Sequence, residues 1–448
     1  MKNKMNKLIA TLCLIVLAGV MNSILFNVTL EDMAKDLNVT SSAISWIVIS
    51  YTLVITFGSV TYSKLASYFQ IKNLLLFGVI MFTLGSLIGY FFNSYILVLS
   101  ARIIQAIGGS SFIALSMITA NQFIPVSMRN FALALIGGCL SLGSGLGFLV
   151  GGILSLTWGW HSLFLLTSLT LLTVFGIYTL LPSGYASKER ITEPFDILGL
   201  FYLVIFVTSF ILGVKLNSLL LFLTIISLFL LGLHSKKKRK VLFIDPSVLK
   251  YFSFNKLLLI SFINNAAMVA ILFLYPSLMN RAFHLSSVRI GFIICMGSII
   301  SFLFSLLIRK LASSMSNEKL MFISIVIQLI SFCTLSFFGM TSIIIATLGL
   351  FLIYSCYSTL TVIINQEIPL HVEQDKTSMG LGIYNLINFL GMSFGPTMSS
   401  RILGISTNYT FVLQSFTVLL IGSLLLMLVG RRRVDTPYNG ACHIREEQ

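Results

Sequence analysis

One arginine lies inside a long apolar stretch, where a charged side chain is unusual. Arg102 is followed three residues later by Gln105, so the two side chains share one face of a helix. A charge inside an apolar span is costly and usually faces a cavity or a partner group. Arg102 could therefore bias the protonation of a neighbouring group or hold a charged group. The alternative is a structural role, in which the guanidinium donates hydrogen bonds to backbone carbonyls.

A second set of polar side chains also falls within apolar segments. Buried amides and phenols need hydrogen-bond partners, so these residues could bind a small molecule or could join neighbouring helices. Asn385 and Asn388 share a helix face with Gly391. We regard the whole set as candidates for lining a substrate cavity. It comprises Asn22, Asn27, Asn264, Asn265, Tyr354, Tyr357, Tyr384, Asn385 and Asn388.

Glycines with four-residue spacing mark one apolar segment. Gly143, Gly147 and Gly151 lie at positions i, i+4 and i+8, and Gly152 follows directly. Such a stripe is smooth and allows another helix to approach closely. Gly391 and Gly395 repeat the spacing near the end of the chain. We therefore predict close helix–helix contacts at both places.

The elements that carry these residues must be membrane helices. Of the 448 residues 57% are hydrophobic and only 10% are charged, against roughly 25% charged in soluble domains. This composition excludes a soluble globular protein and a disordered chain, and the apolar segments are too long for β-barrel strands. Since one span needs about 20 apolar residues, we predict 14 transmembrane helices. These predicted spans 1 to 14 lie at about residues 8–30, 43–62, 74–92, 95–118, 131–155, 162–182, 197–214, 218–234, 257–280, 290–308, 320–339, 342–364, 378–405 and 411–430.

The basic residues predict the orientation. The net charge is +15, and most basic residues, including the run Lys236–Lys240, fall in segments on the same side as both termini. The opposite loops hold only Lys35, Lys215, Arg281 and Arg289. By the positive-inside rule both termini are cytoplasmic. We attribute the excess charge to topology, and predict no nucleic-acid partner.

No sequence pattern predicts an enzyme, a metal site or a cofactor. Five of the six cysteines lie in apolar spans and no CxxC pair occurs, which argues against a zinc site or a disulfide framework. The sequence has no P-loop, H-E-x-x-H or Ser-His-Asp signature. We therefore expect no cofactor and no bound metal. The expected partners are the lipid bilayer, a small amphipathic substrate and protons, and we expect a monomer.

The chain divides into two similar parts. The segment Lys64–Ser67 recurs as Lys310–Ser313, and the glycine pair of predicted span 5 recurs in predicted span 13. Two related six-helix halves with a binding site between them are typical of transporters. We predict a six-helix bundle at residues 1–182, a two-helix insertion with flanking cytoplasmic loops at 183–255, a second six-helix bundle at 256–430 and a cytoplasmic tail at 431–448.

Several motifs point to one family. Arg102-x-x-Gln105 matches an R-x-x-Q motif, and the segment Gly143–Gly152 is similar to the antiporter motif G-x-x-x-G-P-x-x-G-G. Trp158-Gly159-Trp160 is similar to a W-x-W that opens the sixth helix. Together they resemble the major facilitator superfamily, and within it the 14-helix drug:proton antiporter branch that includes the tetracycline efflux proteins of Gram-positive bacteria. The resemblance covers nearly the whole chain.

The resemblance implies an all-α polytopic protein of the cell membrane with the major facilitator fold. It implies a secondary active transporter that exports amphipathic small molecules, such as drugs, by proton antiport and alternating access. By the same resemblance the antiporter-motif glycines Gly143, Gly147, Gly151, Gly152 and Gly395 seal the bundle. The candidates for proton coupling and gating are then Arg102, Gln105, Glu31 and Lys72.

The sequence departs from the family pattern in two ways. Phe148 stands where the antiporter motif has its proline, and no carboxylate lies in the central part of a predicted span. Proton-coupled transporters commonly carry protons on buried carboxylates, and Met392 or Ser393 stands where the tetracycline relatives have one. Two alternatives therefore stay open. One is an exporter of a dedicated metabolite such as a metallophore, and the other is a non-transporting or degenerate membrane relative.

Overall fold

The fold is known from a computed structural model. It describes residues 2–44, 46–183, 196–215, 217–235, 246–285, 287–312, 315–373, 376–406 and 408–429. The basic run 236–240, most of the loop 183–196 and the predicted tail 431–448 lie outside the described residues. Within the described ranges the regular elements are helical. The α-helices are α1 (Lys2–Leu25), α2 (Leu30–Asp36), α3 (Ser41–Ile44), α4 (Trp46–Leu65), α5 (Ile71–Phe91), α6 (Tyr95–Phe123), α7 (Val126–Trp158), α8 (His161–Ser168), α9 (Thr173–Leu180), α10 (Ile197–Lys215), α11 (Leu220–Ser235), α12 (Phe252–Phe283), α13 (Ser287–Ala312), α14 (Asn317–Phe338), α15 (Ile343–Glu367), α16 (Thr377–Ile405) and α17 (Tyr409–Val429).

Twelve of the described helical stretches are long and apolar enough to cross a membrane. One of them, His161–Leu180, is built from α8, α9 and the 3-10 turn between them. The shorter apolar helix α11 has 16 residues. Helix α16 has 29 residues but contains many Gly, Ser and Asn residues and is not among the twelve. The chain is therefore a multi-pass helical membrane protein, with a helix at each of the 14 predicted positions.

The helix ends differ from the prediction at several places. Predicted span 1 reaches residue 30, but α1 ends at Leu25 and a 3-10 turn follows at Phe26–Val28. The Oγ1 of Thr29 donates to the carbonyl of Phe26 at 3.2 Å, and such local bonds compete with helix formation. Glu31 consequently belongs to the separate short helix α2. In the opposite sense α7 and α12 extend beyond the predicted 131–155 and 257–280, because their helices continue into polar residues.

The apolar core joins the helices more tightly at one end of the bundle than at the other. We call the end at which α1 begins the N-terminal end. There Leu12 and Leu133 of the first six predicted spans share one core with Leu257 and Ile364 of the last six. Toward the opposite end the two largest cores are distinct, and the contacts between them are fewer: Phe148 of α7 packs against the core of α12–α17, and Tyr51 of α4 shares a small cluster with Phe389 of α16. One surrounds Phe26, Trp160 and neighbouring residues of α1–α8, and the other consists mainly of residues of α12–α17.

The pair of helices α7 and α13 shows the same asymmetry, and we call their contact the α7–α13 seam. A Cβ atom added to Gly138 would lie 2.8 Å from Cδ2 of Phe302, and one added to Gly145 would lie 3.1 Å from Cα of Cys295. Further toward the opposite end, a Cβ on Gly152 or on Gly291 would meet no described atom within 4 Å. The two helices therefore pack closely near the middle and the N-terminal end, and leave open space beside Gly152 and Gly291.

The helices of the first six predicted spans and those of the last six form two groups. The helices α10 and α11 form a hairpin beside these two groups of helices. Leu203 and Val207 of α10 pack in one cluster with Val60 of α4 and Leu386 of α16, so α10 lies along the place where the groups meet. Asp196, just before α10, binds the Nε2 atom of His234 near the end of α11, with oxygen–nitrogen distances of 2.9 and 3.1 Å. Both side chains are buried. This pair ties the two ends of the hairpin together.

Candidate functional site

Arg102 is placed by α6 in contact with α1 and α4. Its Nη1 donates to Oε1 of Gln105 at 2.8 Å and to Oδ1 of Asn22 at 3.1 Å. The rings of Phe26 and Tyr51 lie 4.3 and 4.0 Å from the guanidinium carbon. A planar guanidinium stacks well on aromatic rings. The side chain is fully buried, and these contacts fix its position.

The hydrogen bonds continue from Gln105 to two further helices. Its Nε2 donates to Oγ of Ser86 on α5 at 2.7 Å and to Oγ1 of Thr167 on α8 at 3.3 Å. The hydroxyls of Ser86 and Thr167 are themselves 3.0 Å apart. We call the residues Asn22, Arg102, Gln105, Ser86 and Thr167 the arginine cluster. It connects α1, α5, α6 and α8 through buried polar groups.

Arg102 has no counter-charge among the described side chains. Among the side chains that the structure describes, no carboxylate forms an ion pair with Arg102. Its Nη2 and the Nδ2 of Asn22 also have no hydrogen-bond partner there. A buried charge without a counter-charge costs several kcal/mol. Within the described part of the structure, the cluster therefore holds a cation without a counter-charge and two donors, Nη2 of Arg102 and Nδ2 of Asn22, without acceptors.

A small central cavity lies between the two groups of helices. Its volume is about 10 Å³, about the space that one water molecule needs. A larger molecule would enter only if the helices moved apart. The cavity is lined by Ile113, Leu140, Asn265, Tyr357, Thr361, Asn385, Asn388, Phe389 and Met392.

The walls of the central cavity differ in polarity. Ile113 of α6 and Leu140 of α7 form an apolar wall, whereas the polar groups come from α12, α15 and α16. In this amide wall Oδ1 of Asn388 accepts from Nδ2 of Asn265 at 3.0 Å and also from the hydroxyl of Ser261. The Oη of Tyr357 donates to Oδ1 of Asn265 at 3.2 Å. These bonds hold the amides in fixed orientations.

The structure brings four of the predicted cavity residues together and leaves others outside. Asn265, Tyr357, Asn385 and Asn388 line the cavity. Asn264 does not line it, because its amide bonds to Gln328 and to the carbonyl of Tyr357.

Four further predicted residues do not line the cavity either. Asn27 lies exposed in the 3-10 turn after α1. Asn22 belongs to the arginine cluster. Tyr384 is buried behind the cavity, and Tyr354 contacts Ser144.

The four predicted coupling residues do not form one site. Arg102 and Gln105 are in contact, but Lys72 lies at the N-terminal end, where its Nζ is 4.3 Å from the centre of the Tyr178 ring. Arg102 lies toward the opposite end, because α6 begins there. Glu31 is in α2, and its side chain lies outside the described part of the structure. The R-x-x-Q pair is therefore separated from Lys72 by much of the length of the bundle.

The predicted glycines serve two helix contacts. A Cβ on Gly143 would lie 3.0 Å from Cβ of Val20, and one on Gly147 would lie 3.0 Å from the carbonyl of Met21. These glycines therefore face α1. Gly395 faces α12 in the same way, with Ala270 N at 3.0 Å from the added Cβ.

The remaining two glycines of the motif differ from each other. Gly151 is buried, whereas Gly152 makes no such contact and is not part of a packed stripe. In place of the motif proline, Phe148 packs against the core of α12–α17.

Several polar contacts could not be found from the sequence. Ser86, Thr167, Ser261 and Thr361 give no signal, since serines and threonines are common in membrane helices and bond their own backbone there. The pair Asp196–His234 had a signal, because the two residues stand at the open end of a predicted helical hairpin. Within the described ranges no group of His, Cys, Asp and Glu could hold a metal ion.

Comparisons with known proteins give relatives along nearly the whole chain. The riboflavin transporter RibZ of Clostridioides difficile is 26% identical over 91% of this chain and 90% of its own. The multidrug efflux pump SdrM of Staphylococcus aureus is 23% identical over 94% and 96%. The methylenomycin A resistance protein of Bacillus subtilis is 26% identical over 68% and 67%.

Solved structures show the same fold at low sequence identity. The human organic anion transporter MFSD10 superposes with a TM-score of 0.71 at 12% identity, over 94% of this chain and 99% of its own. The proton:xylose symporter XylE gives a TM-score of 0.71 at 13% identity, over 97% of each chain. The profile of the Major Facilitator Superfamily matches residues 11–396. With this match across most of its length, the chain belongs to the major facilitator superfamily and is a transporter, not an enzyme.

Proposed function

We propose that this protein is a secondary active exporter of amphipathic small molecules in the bacterial cytoplasmic membrane. The observation that carries the proposal is the central cavity, which has an apolar wall on one group of helices and an amide wall on the other. Such a cavity suits molecules with an apolar body and a few polar groups. Two relatives, a multidrug efflux pump and a methylenomycin A resistance protein, support export.

The proposed mechanism is alternating access between two six-helix bundles, residues 1–182 and 256–430, linked by the hairpin within 183–255. In this proposal the chain crosses the membrane 14 times and both termini are cytoplasmic. The α7–α13 seam supports it, because the two helices pack closely at the N-terminal end and leave open space beside Gly152 and Gly291 toward the other. The state described is then closed toward the cytoplasm.

We include proton antiport in the proposal because the R-x-x-Q motif resembles that of drug:proton antiporters. None of the residues that line the central cavity is a carboxylate. Proton binding would therefore act away from the cavity, on Glu31 or on a group beside the arginine cluster. A cation such as Arg102, which has no counter-charge among the described side chains, responds to any nearby change of charge, which makes it a suitable part of the coupling.

Accumulation measurements test both parts of the proposal. We would express the protein in bacteria that lack their main efflux pumps and measure the retention of a panel of fluorescent amphipathic compounds. Expressing cells should retain less of at least one compound, and an uncoupler should abolish the difference. The variant Asn388→Leu, at equal expression, provides the inactive control. Unchanged retention of the whole panel would favour a non-transporting protein, and a difference that survives the uncoupler would refute proton coupling alone.

A second candidate function is the movement of one dedicated metabolite. The riboflavin transporter relative covers the chain almost end to end, and the amide wall offers the kind of groups that hold one polar molecule in a fixed orientation. Loading the same cells with riboflavin distinguishes the candidates. If riboflavin alone of the panel changes its cellular level, the dedicated transporter is correct.

A further inference from the structure

We propose that the central cavity selects uncharged molecules that present a hydrogen-bond donor beside an acceptor, as the edge of an amide or imide does. Asn385 and Asn388 are the residues that would read this edge. The proposal rests on the transport function proposed above and names the substrate class of the same site. It also excludes organic cations as good substrates.

The first argument is the absence of charge. None of the nine residues that line the cavity is ionisable at neutral pH, since they are apolar, amide or hydroxyl side chains. Moving a charged group from water into such surroundings is costly unless a counter-charge receives it. An uncharged molecule needs only hydrogen bonds, which the amide wall supplies.

The second argument concerns which amide atoms are free. Oδ1 of Asn388 accepts two hydrogen bonds, from Asn265 and Ser261, so this oxygen is fixed toward α12. Its Nδ2 carries two N–H groups; the hydroxyl of Tyr384 is in reach of one, and the other has no described acceptor. Asn385 has the reverse arrangement, because its Nδ2 donates to the carbonyl of Leu381 at 2.9 Å and its Oδ1 accepts from no described group.

The two free atoms therefore form a matched pair. Asn385 and Asn388 lie three residues apart on α16, so their side chains share one face of the helix. One offers a carbonyl oxygen and the other an amide N–H. A ligand that donates to Asn385 and accepts from Asn388 satisfies both, and adjacent N–H and C=O groups of an amide or imide have this pattern.

The opposite wall fits the rest of such a molecule. Ile113 and Leu140 face the amide wall across the cavity, and Phe389 adds an aromatic ring beside Asn388. A flat apolar body can lie against these side chains while its polar edge reaches α16. The expected substrate thus has an apolar face on the first group of helices and a polar edge on the second.

Direct binding to the purified protein tests the proposal with three probes. Riboflavin is uncharged and carries an imide edge, N3-methylriboflavin has the same shape without the imide donor, and tetraphenylphosphonium is an apolar cation. Titration calorimetry on the full chain in detergent should show riboflavin binding about tenfold or more tightly than either of the others. Wild-type protein that binds riboflavin no more tightly than tetraphenylphosphonium or N3-methylriboflavin would overturn the proposal.

Two variants distinguish a specific effect on the hydrogen bonds to the ligand's amide edge from a general loss of structure. Asn388→Asp replaces the N–H donor by a carboxylate, so riboflavin binding should fall about tenfold or more while binding of tetraphenylphosphonium rises. Asn280→Asp makes the same change at an exposed position of α12 and should alter neither. Unchanged riboflavin binding in Asn388→Asp would refute the role of this residue.

The binding measurement is independent of the transport proposal. Selective riboflavin binding together with an unchanged cellular level of every compound would refute transport and leave the site assignment in place. Transport of cations and uncharged compounds at equal rates would support the transport function and refute the substrate class proposed here.

Discussion

The guanidinium of Arg102 makes contacts that the ammonium group of a lysine could not make in the same way. Its plane stacks on the rings of Phe26 and Tyr51 while Nη1 bonds both Asn22 and Gln105. Yet Nη2 has no partner among the described residues. The cluster is therefore well positioned but not fully satisfied, and a partly satisfied buried network is where a small change of charge has a large effect.

Asn22→Asp should stabilise the protein. The new carboxylate would accept from Nη1 of Arg102, and its second oxygen could accept from the unused Nη2, in place of the unpaired Nδ2 of Asn22. Charge-assisted hydrogen bonds are about twice as strong as neutral ones, so we expect a gain of about 1–3 kcal/mol. Thermal unfolding in detergent measures it as a higher midpoint.

The matched control for that variant is Asn264→Asp. Asn264 is equally buried but binds Gln328 and the carbonyl of Tyr357, and no described cation bonds to it. Its unfolding midpoint should fall, because the carboxylate has no counter-charge there. If Asn22→Asp also lowers the midpoint, the cation is balanced by some other group.

At this scale the sequence predicts residue types better than their partners. The three-residue spacing of Arg102 and Gln105 is enough to place them together, as the structure shows. Ser86 and Thr167 could not be predicted, because their contacts depend on how α5 and α8 pack against α6. The amides were predicted as one set, but helix packing divides Asn265, Asn385 and Asn388 from Asn264.

At the scale of the elements, glycines determine how closely helices approach. Gly143 and Gly147 face α1 and Gly395 faces α12, so the glycine motif serves the same kind of contact in both parts of the chain. Gly138 and Gly145 use another face of α7 to contact α13. One helix thus contacts two neighbours through two separate sets of glycines.

Gly147→Leu should be destabilising, whereas Gly152→Leu in the same helix should not. The leucine at 147 would force α1 away, since even a Cβ lies 3.0 Å from the carbonyl of Met21. Overpacking of this kind costs about 1–3 kcal/mol. A Cβ at 152 meets nothing described within 4 Å. Unfolding midpoints of the two variants test the difference, and equal midpoints would contradict the packing described.

The helices themselves were largely predictable, since each long apolar stretch became a helix. Their ends were not. Helix α7 runs from Val126 to Trp158, beyond the predicted 131–155, because an apolar window does not register polar residues that continue a helix. The early end of α1 at Leu25 depends on a local hydrogen bond of Thr29, which no hydropathy pattern reveals.

At the scale of the whole molecule, the two groups of helices share a large core at one end and make fewer apolar contacts toward the other. The shared core includes Leu12, Leu133, Leu257 and Ile364, all toward the N-terminal end. Helix α10 adds a further contact, because its apolar face packs on both α4 and α16. Any rocking motion must therefore break the shared core and slide along α10.

A disulfide between cysteines at positions 152 and 291 should arrest transport. We would introduce Gly152→Cys and Gly291→Cys in a chain whose native cysteines are replaced by serine. Closer approach of α7 and α13 at this end during the cycle would bring the two thiols together, and oxidation would then trap them. Efflux should stop with oxidant and recover with a reductant, and each single variant should be unaffected. Cross-linked protein that still transports would exclude this closing motion.

The open space beside Gly152 and Gly291, which we call the gap, also bears on inhibition. If both termini are cytoplasmic, as proposed, the gap faces the outside, and a compound wedged there would stop the transporter without having to enter the cell. Such an inhibitor would not be a cargo of the pump that it blocks. A larger side chain at Gly152 or Gly291 that prevents the inhibitor from binding would also impair transport, because it would fill the space that the helices need in order to close.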